Sequence, residues 1–124
     1  MREQPKGDSL LACARQVLKE EILPALPGDK KHALLMVMNA LSIAERQLGF
    51  GSQPEAEELA ALRLLLREPG VDLPSGHRLL GQLLRQGAGD PGQAARSRYL
   101  SFLRTAARQR LRESNPKALP REFS

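Results

Sequence analysis

The chain has 124 residues, of which 41% are hydrophobic and 27% are charged. A chain of this length is typically one domain that buries roughly two-thirds of its unfolded surface. Its single cysteine, Cys13, excludes an internal disulfide framework and a cysteine-based zinc site, and its two histidines supply few other metal ligands. We therefore expect one domain over residues 1–124 that carries no metal and no cofactor.

The net charge of +5 is unevenly distributed. Residues 63–124 carry 12 basic and 5 acidic side chains, whereas residues 1–62 carry 7 and 9. Such asymmetry is typical either of a partner that presents phosphates or carboxylates, or of a basic face in contact with water. No apolar run approaches the ~20 residues of a membrane span, and the charged N-terminal segment does not resemble a signal peptide. We expect a cytoplasmic protein without membrane contact.

Two helices are predicted in the first half of the chain. The first begins near Asp8 or Ser9, whose side chains can cap free backbone amides, and extends to about Leu26. The second has Asp29 as its N-cap and ends at about residue 49. Because residues 33–38 are apolar on nearly every side, we expect the second helix to be central and packed by several neighbours.

Three further helices are predicted in the second half. The third covers about residues 54–68, and a short fourth helix covers about residues 76–85. Asp90 is the expected cap of a long fifth helix over about residues 91–113. Asn115-Pro116 ends this helix, because the residue before a proline avoids helical backbone angles.

The composition favours helices throughout the chain. Leu and Ala dominate the apolar residues and aromatic residues make up only 3%, which favours helix over strand. The sequence therefore predicts an all-α fold, an antiparallel bundle of about five helices. Residues 1–7 and 117–124 are predicted to be flexible tails.

Two charged residues fall inside the apolar arcs of predicted helices projected at about 100° per residue, Glu21 in the first and Arg110 in the fifth. A lone buried charge costs several kcal/mol, so each should be paired, partly exposed or near a helix end. One hypothesis is a polar pocket in which Arg110 binds a carboxylate or a phosphate. The other is a structural ion pair, between Glu21 and Arg110, that fixes helix register.

A polar line follows one edge of the second helix. His32, Asn39 and Arg46 recur there every seven residues, either as the wall of a ligand groove or as a half-exposed seam. His77 is expected at the surface, in a loop or at a helix start.

The fifth helix carries a basic face opposite its apolar arc. Its members are Arg98, Arg104, Arg108 and Arg112. These arginines could follow a phosphate backbone, but Tyr99 and Phe102, which could stack on bases, lie on the apolar side. Non-specific nucleic-acid binding is therefore the third and least favoured functional hypothesis. The chain has no zinc-protease motif, no P-loop and no nucleophile motif, so we do not expect an enzyme.

Three short segments occur along most of the chain in an order that suggests a family. They are Leu18-Lys-Glu-Glu-Ile-Leu-Pro-Ala-Leu26; Asn39-Ala-Leu-Ser-Ile43 with Glu45-Arg46-Gln-Leu48 after it; and Arg110-Leu111 leading to Asn115-Pro116-Lys-Ala-Leu119. With these segments the chain resembles a group of small bacterial helical domains of uncharacterised function. Members of that group occur alone or joined to aminoglycoside-phosphotransferase-like kinases, in gene neighbourhoods with acyl-CoA dehydrogenases. Gln47 and Ala118 stand where the group tends to have an acidic and an aromatic residue.

The resemblance implies a cytoplasmic, non-catalytic accessory or interaction domain that serves a partner enzyme in acyl-CoA metabolism. It draws attention to five polar positions as a ligand-binding or structural site, namely Glu21, Asn39, Arg46, Arg110 and Asn115. The alternative hypothesis is a binding module for a small anionic ligand such as an acyl-CoA, held by Arg110 with Arg46 and Asn39. A helix as apolar as residues 33–38 leaves surface for a two-fold partner, so a homodimer is a further prediction.

Overall fold

A computed structural model describes residues 6–121, and this part of the chain is all-α, without a strand. The five α-helices are α1 (Gly7–Val17), α2 (Gly28–Phe50), α3 (Gln53–Leu66), α4 (Leu73–Arg85) and α5 (Arg96–Ser114). The predictions of an all-α fold and of five helices are therefore confirmed.

The chain between α1 and α2 departs from the predicted continuous helix. The α-helix ends at Val17, and Leu18–Ile22 form a π-helical turn that is followed by a 3₁₀ turn at Leu23–Ala25. Pro24 explains the change, because it lacks the N–H that an α-helical turn would require there.

Three helix starts also differ from the prediction. Pro27 occupies the N-cap position of α2, so Asp29 lies in the first turn, where its negative charge suits the helix dipole. The start of α4 is earlier than predicted because the Asp72 carboxylate accepts a 2.8 Å hydrogen bond from the Ser75 N–H. The start of α5 is later than predicted, and Asp90 does not cap it. Gly92, with φ of +93°, breaks the helical path in between.

The described helices fall into two compact units. The first unit comprises residues 6–51 and 111–121, and the second comprises residues 52–110. Helix α5 contributes residues to both units.

The second unit has a small core of three buried side chains, Leu62 of α3, Leu80 of α4 and Tyr99 of α5. Other apolar side chains pack around this core, among them Leu65, Leu66, Leu73, Leu84, Ala88, Ala95 and Phe102. Gly76 allows α4 to approach α3 closely, since a Cβ at this position would lie 2.5 Å from Leu62 Cδ2.

In the first unit, α1 and α2 form an antiparallel hairpin. The start of α1 lies beside the end of α2, and a Cβ built on Gly7 would lie 3.2 Å from Leu48 Cδ1. Neither helix contains a buried residue. The expectation that residues 33–38 form a central helix packed by several neighbours is therefore wrong, because Leu35, Met36 and Val37 are all exposed.

The chain beyond α5 is more ordered than the predicted tail. Pro116–Ala118 form a 3₁₀ turn, and Leu119 is buried. The prediction of a flexible tail from residue 117 is therefore wrong for residues 117–119, because burial of an apolar side chain holds this segment in place. Residues 1–5 and 122–124 of the predicted tails lie outside the described residues.

Candidate functional site

The Glu58 carboxylate connects three helices of the second unit. Its Oε1 lies 3.1 Å from Arg110 Nη1 of α5, and its Oε2 lies 3.5 Å from His77 Nε2 of α4. The Glu58 side chain is 17% exposed, whereas that of Arg110 is 57% exposed. A mostly buried carboxylate is thus paired with the Arg110 guanidinium at the edge of water, which limits its desolvation cost.

Neither of the two charges expected in the core is buried. Glu21 is exposed within the π-helical turn Leu18–Ile22, and the partner that the structure gives to Arg110 is Glu58. A π turn has more residues per turn than an α-helix, so a projection at 3.6 residues per turn misplaces Glu21. The long apolar stem of Arg110 carries its guanidinium outward to solvent and Glu58. Both hypotheses, a polar pocket at Arg110 and a Glu21–Arg110 ion pair, required these two side chains to be buried. The structure does not meet that requirement.

Arg46 binds the C-terminal end of α5. Its Nε donates to the Glu113 carbonyl oxygen at 2.6 Å, and its Nη2 donates to the Ser114 carbonyl oxygen at 3.3 Å. These carbonyls lie in the last turn of the helix, where backbone acceptors lack helical partners and the dipole favours a cation. Arg46 therefore attaches α2 to the last turn of α5.

Asn115 is exposed and links α5 to the following 3₁₀ turn. Its N–H donates to the Leu111 carbonyl at 2.8 Å, and its own carbonyl accepts from the Ala118 N–H at 3.0 Å. Two of the three segments that carry the family resemblance meet here, since Arg46 contacts the residues just before Asn115. Their contact is a structural one, made through backbone carbonyls.

The polar line on α2 is divided by the structure. Arg46 is half-buried and bound to α5, whereas His32 and Asn39 are exposed. In a projection at about 100° per residue, the two exposed residues lie roughly opposite the half-buried Leu34, Met38 and Leu41. His77 is the fifth residue of α4, its side chain is 37% exposed and its Nε2 lies 3.5 Å from Glu58, so it is less exposed than predicted.

The predicted basic face of α5 is only partly exposed. Arg98 and Arg104 are exposed, whereas Arg108 and Arg112 are half-buried, and each of the latter two takes part in an interaction. A phosphate backbone would therefore meet two freely exposed arginines of the predicted four.

Sequence reasoning missed an ion pair inside the α1–α2 hairpin. Arg15 Nη2 and Nε lie 2.8 and 3.2 Å from Glu45 Oε2. A signal for this pair exists in the sequence, because Glu45 continues the helical spacing of the half-buried Leu34, Met38 and Leu41. A charge on that inward face needs a partner from the neighbouring helix.

Asp72 is the residue whose titration is clearly perturbed. The pKa of its carboxyl is lowered, chiefly because the carboxylate accepts the hydrogen bond from the Ser75 backbone N–H. The Ser75 side chain and the nearby Arg78 charge act in the same direction. This perturbation belongs to the N-cap of α4 and identifies no catalytic acid or base.

Apolar side chains on the outside of the first unit form the most unusual feature of the molecule. Leu10 and Val17 of α1 are 55% and 48% exposed, and Leu35, Met36 and Val37 of α2 are 51%, 62% and 51% exposed. We call these five residues the hairpin surface. Scattered exposed apolar residues are ordinary, but such a concentration on two helices that bury no residue is typical of an interaction site.

Over residues 6–121, no three His, Cys, Asp or Glu side chains are grouped so that they could hold a metal ion. Within the same range, no helix has the length and hydropathy needed to cross a bilayer.

The fold and these surfaces define a small all-α protein whose most distinctive feature is an exposed apolar helical hairpin. Comparison with known families matches residues 24–118 to the family described as "Domain of unknown function (DUF6285)". The match covers most of the chain, which therefore belongs to this family. No curated protein and no solved structure matched the chain.

Proposed function

We propose that this protein is a non-catalytic, cytoplasmic interaction domain that serves a partner enzyme. The observation that carries this proposal is the hairpin surface, where apolar side chains on α1 and α2 are about half exposed or more. Ile22, Leu48 and Phe50 of the same unit are also 42%, 47% and 40% exposed.

The free-energy balance also supports a covered hairpin. Apolar surface gains roughly 25 cal/mol for each Å² removed from water, before the costs of association. Without a partner, the exposed apolar side chains of the hairpin stay in contact with water and this stabilisation is absent. A partner with an apolar surface of matching shape would recover part of it.

The resemblance suggests which enzymes to examine. It implies a phosphotransferase-like kinase or an acyl-CoA dehydrogenase as the partner, in a bacterial setting. The alternative of an anionic-ligand module gains no support from the arginines, because Glu58 neutralises Arg110 and the Arg46 guanidinium is bound to the carbonyls of α5.

The proposal is tested by affinity capture from extracts of the source organism, with the full chain as bait. We expect one of the two enzymes to be recovered in stoichiometric amount. Recovery should be lost with a Leu10→Lys, Val17→Lys variant and kept with Leu64→Lys, since Leu64 lies in the second unit and is 81% exposed. Capture of no protein, or capture that both variants preserve, would contradict the proposal.

A further inference from the structure

The outward side of α2 has the spacing of a helix–helix seam. Ala33, Met36, Ala40 and Ile43 follow one another at intervals of three, four and three residues, so they lie in one stripe. Ala33, Met36 and Ala40 are exposed and Ile43 is half-buried. We call these four residues the α2 seam.

The α2 seam is separate from the side of α2 that packs on α1. The side that packs on α1 carries the half-buried Leu34, Met38 and Leu41. Glu45, which binds Arg15 of α1, lies on the same side. Helix α2 is therefore apolar on two sides, and its packing on α1 uses one of them. A helix of this kind normally has a neighbour on each side.

We propose that the α2 seam binds the same seam of a second copy of this chain, with the two α2 helices antiparallel. This inference goes beyond the proposed partner enzyme, because it adds a second copy of the chain as a partner and shares only Met36 with the hairpin surface. The occupant follows from the order of large and small side chains. In an antiparallel pair with its two-fold axis at the level of residue 38, Met36 faces Ala40 of the second copy and Ile43 faces Ala33.

Each layer of that pair combines one large and one small side chain. This combination fills space evenly and lets the helix axes approach to about 8 Å, the lower end of the usual range. A parallel pair would instead place Ala33 on Ala33 and Met36 on Met36, which alternates voids with crowded layers. Steric complementarity of the sequence with itself therefore selects the antiparallel arrangement.

The residues that flank the α2 seam fit the same arrangement. Asn39 and Val37 lie on opposite edges of the stripe, one residue to either side of the two-fold axis. Each would meet its own copy across the interface. An asparagine amide both donates and accepts hydrogen bonds, so two Asn39 side chains can satisfy each other, and a polar residue beside an apolar seam can fix helix orientation. The proposed dimer thus places the exposed Asn39 in the interface, where it fixes the orientation of the two helices.

The oligomeric state tests this inference first. Light scattering of the full chain should give twice the monomer mass of 13.7 kDa. Met36→Glu should raise the dimer dissociation constant at least about a hundredfold, because each interface would then bury two unpaired carboxylates. Leu64→Glu, which adds the same charge at an exposed leucine of the second unit, should leave the dissociation constant within about twofold.

Cysteine cross-linking tests the direction of the helices. In a background with Cys13→Ser, chains with Met36→Cys and chains with Ala40→Cys are mixed, with a purification tag on one type only. The antiparallel pair predicts disulfides between the two types. A parallel pair predicts disulfides between two Met36→Cys chains, because a disulfide requires Cα atoms within about 7 Å.

Each other outcome overturns the inference. A monomeric mass at high concentration does so, as does a dimer that Met36→Glu leaves intact or a cross-link between two Met36→Cys chains. If the chain is monomeric but still captures an enzyme in a manner that depends on Leu10 and Val17, the interaction role stands and only the second copy is excluded.

Discussion

At the scale of single residues, Glu58 connects three helices of the second unit. It receives Arg110 and His77 from two other helices, while its own side chain is 17% exposed. Its contribution is that of a polar contact which selects one packing of α3, α4 and α5. The interaction with Arg110 is weakened by water, because that side chain is 57% exposed.

We therefore predict that Glu58→Gln lowers the free energy of unfolding by about 1 kcal/mol. A double-mutant cycle with Arg110→Met should show a coupling of about 0.5 kcal/mol, the size usual for partly exposed pairs. Urea denaturation of the four proteins measures both quantities. Independent, additive effects of the two substitutions would show that the pair does not stabilise the fold.

Asp72 gives the molecule a pH-dependent helix cap. Because its pKa in the folded protein is lower than the ordinary pKa of an aspartic acid, it stabilises the fold above that ordinary value, and the contribution is lost as the pH falls through the folded pKa. We predict that Asp72→Ala lowers Tm at pH 7 and that the difference from the wild type disappears in strong acid. Asp72→Asn is the matched control, since asparagine also caps helices but does not titrate. An Asp72→Ala difference that is the same at all pH values would rule out the ionised cap.

The polar residues also show how far single positions can be predicted from sequence. Asn115 ends α5 as expected, because the backbone restriction imposed by Pro116 is local. Glu21 could not be placed, because its position depends on a π turn that no spacing pattern indicates. The pairing of Arg110 with Glu58 depends on how α3 packs against α5, and the spacing of residues in the sequence does not reveal that packing.

At the scale of elements, the junction of α2 with the end of α5 depends on Arg46. It donates to two carbonyls of the last helical turn, an interaction that combines charge with hydrogen bonds. The seven-residue spacing with His32 and Asn39 suggested one shared role for the three residues. The structure separates them, since only Arg46 is near the free carbonyls of another helix.

We predict that Arg46→Met destabilises the protein by about 1–2 kcal/mol, because it keeps the apolar stem and removes the charged donors. Arg46→Lys should recover only part of this loss, since an ammonium keeps the charge near the helix end without the guanidinium geometry. Hydrogen exchange at the Asn115 amide, which bonds to Leu111 in the last turn of α5, should become faster in both variants. Unchanged stability and exchange in Arg46→Met would contradict this assignment.

Element boundaries were predictable where local chemistry decides them. The apolar periodicity indicated all five helices, and the residues before Pro116 ended α5 as predicted. The starts of α4 and α5 were missed because the Asp72 cap and the positive φ of Gly92 shift them in opposite directions. Both features are single-residue effects that compete with periodicity.

At the scale of the whole molecule, the two units differ in how they use their apolar residues. The second unit buries Leu62, Leu80 and Tyr99, whereas α1 and α2 of the first unit bury no residue. The apolar run 33–38 led to the expectation of several neighbours around α2. That expectation is wrong for the single chain, and the second copy that we propose would cover the outward side of α2.

The central claim is that the exposed side of α2 is an interface, and the oxidation of Met36 tests it most directly. Met36 is 62% exposed in the single chain and the nearby Met38 is half-buried, so Met38 serves as an internal reference. Dilute hydrogen peroxide is applied over a range of protein concentrations, and peptide mass spectrometry measures the oxidation rate of each methionine. The account predicts that Met36 is protected at high concentration and becomes reactive on dilution, while Met38 changes little. A Met36 rate that is fast and independent of concentration would contradict it.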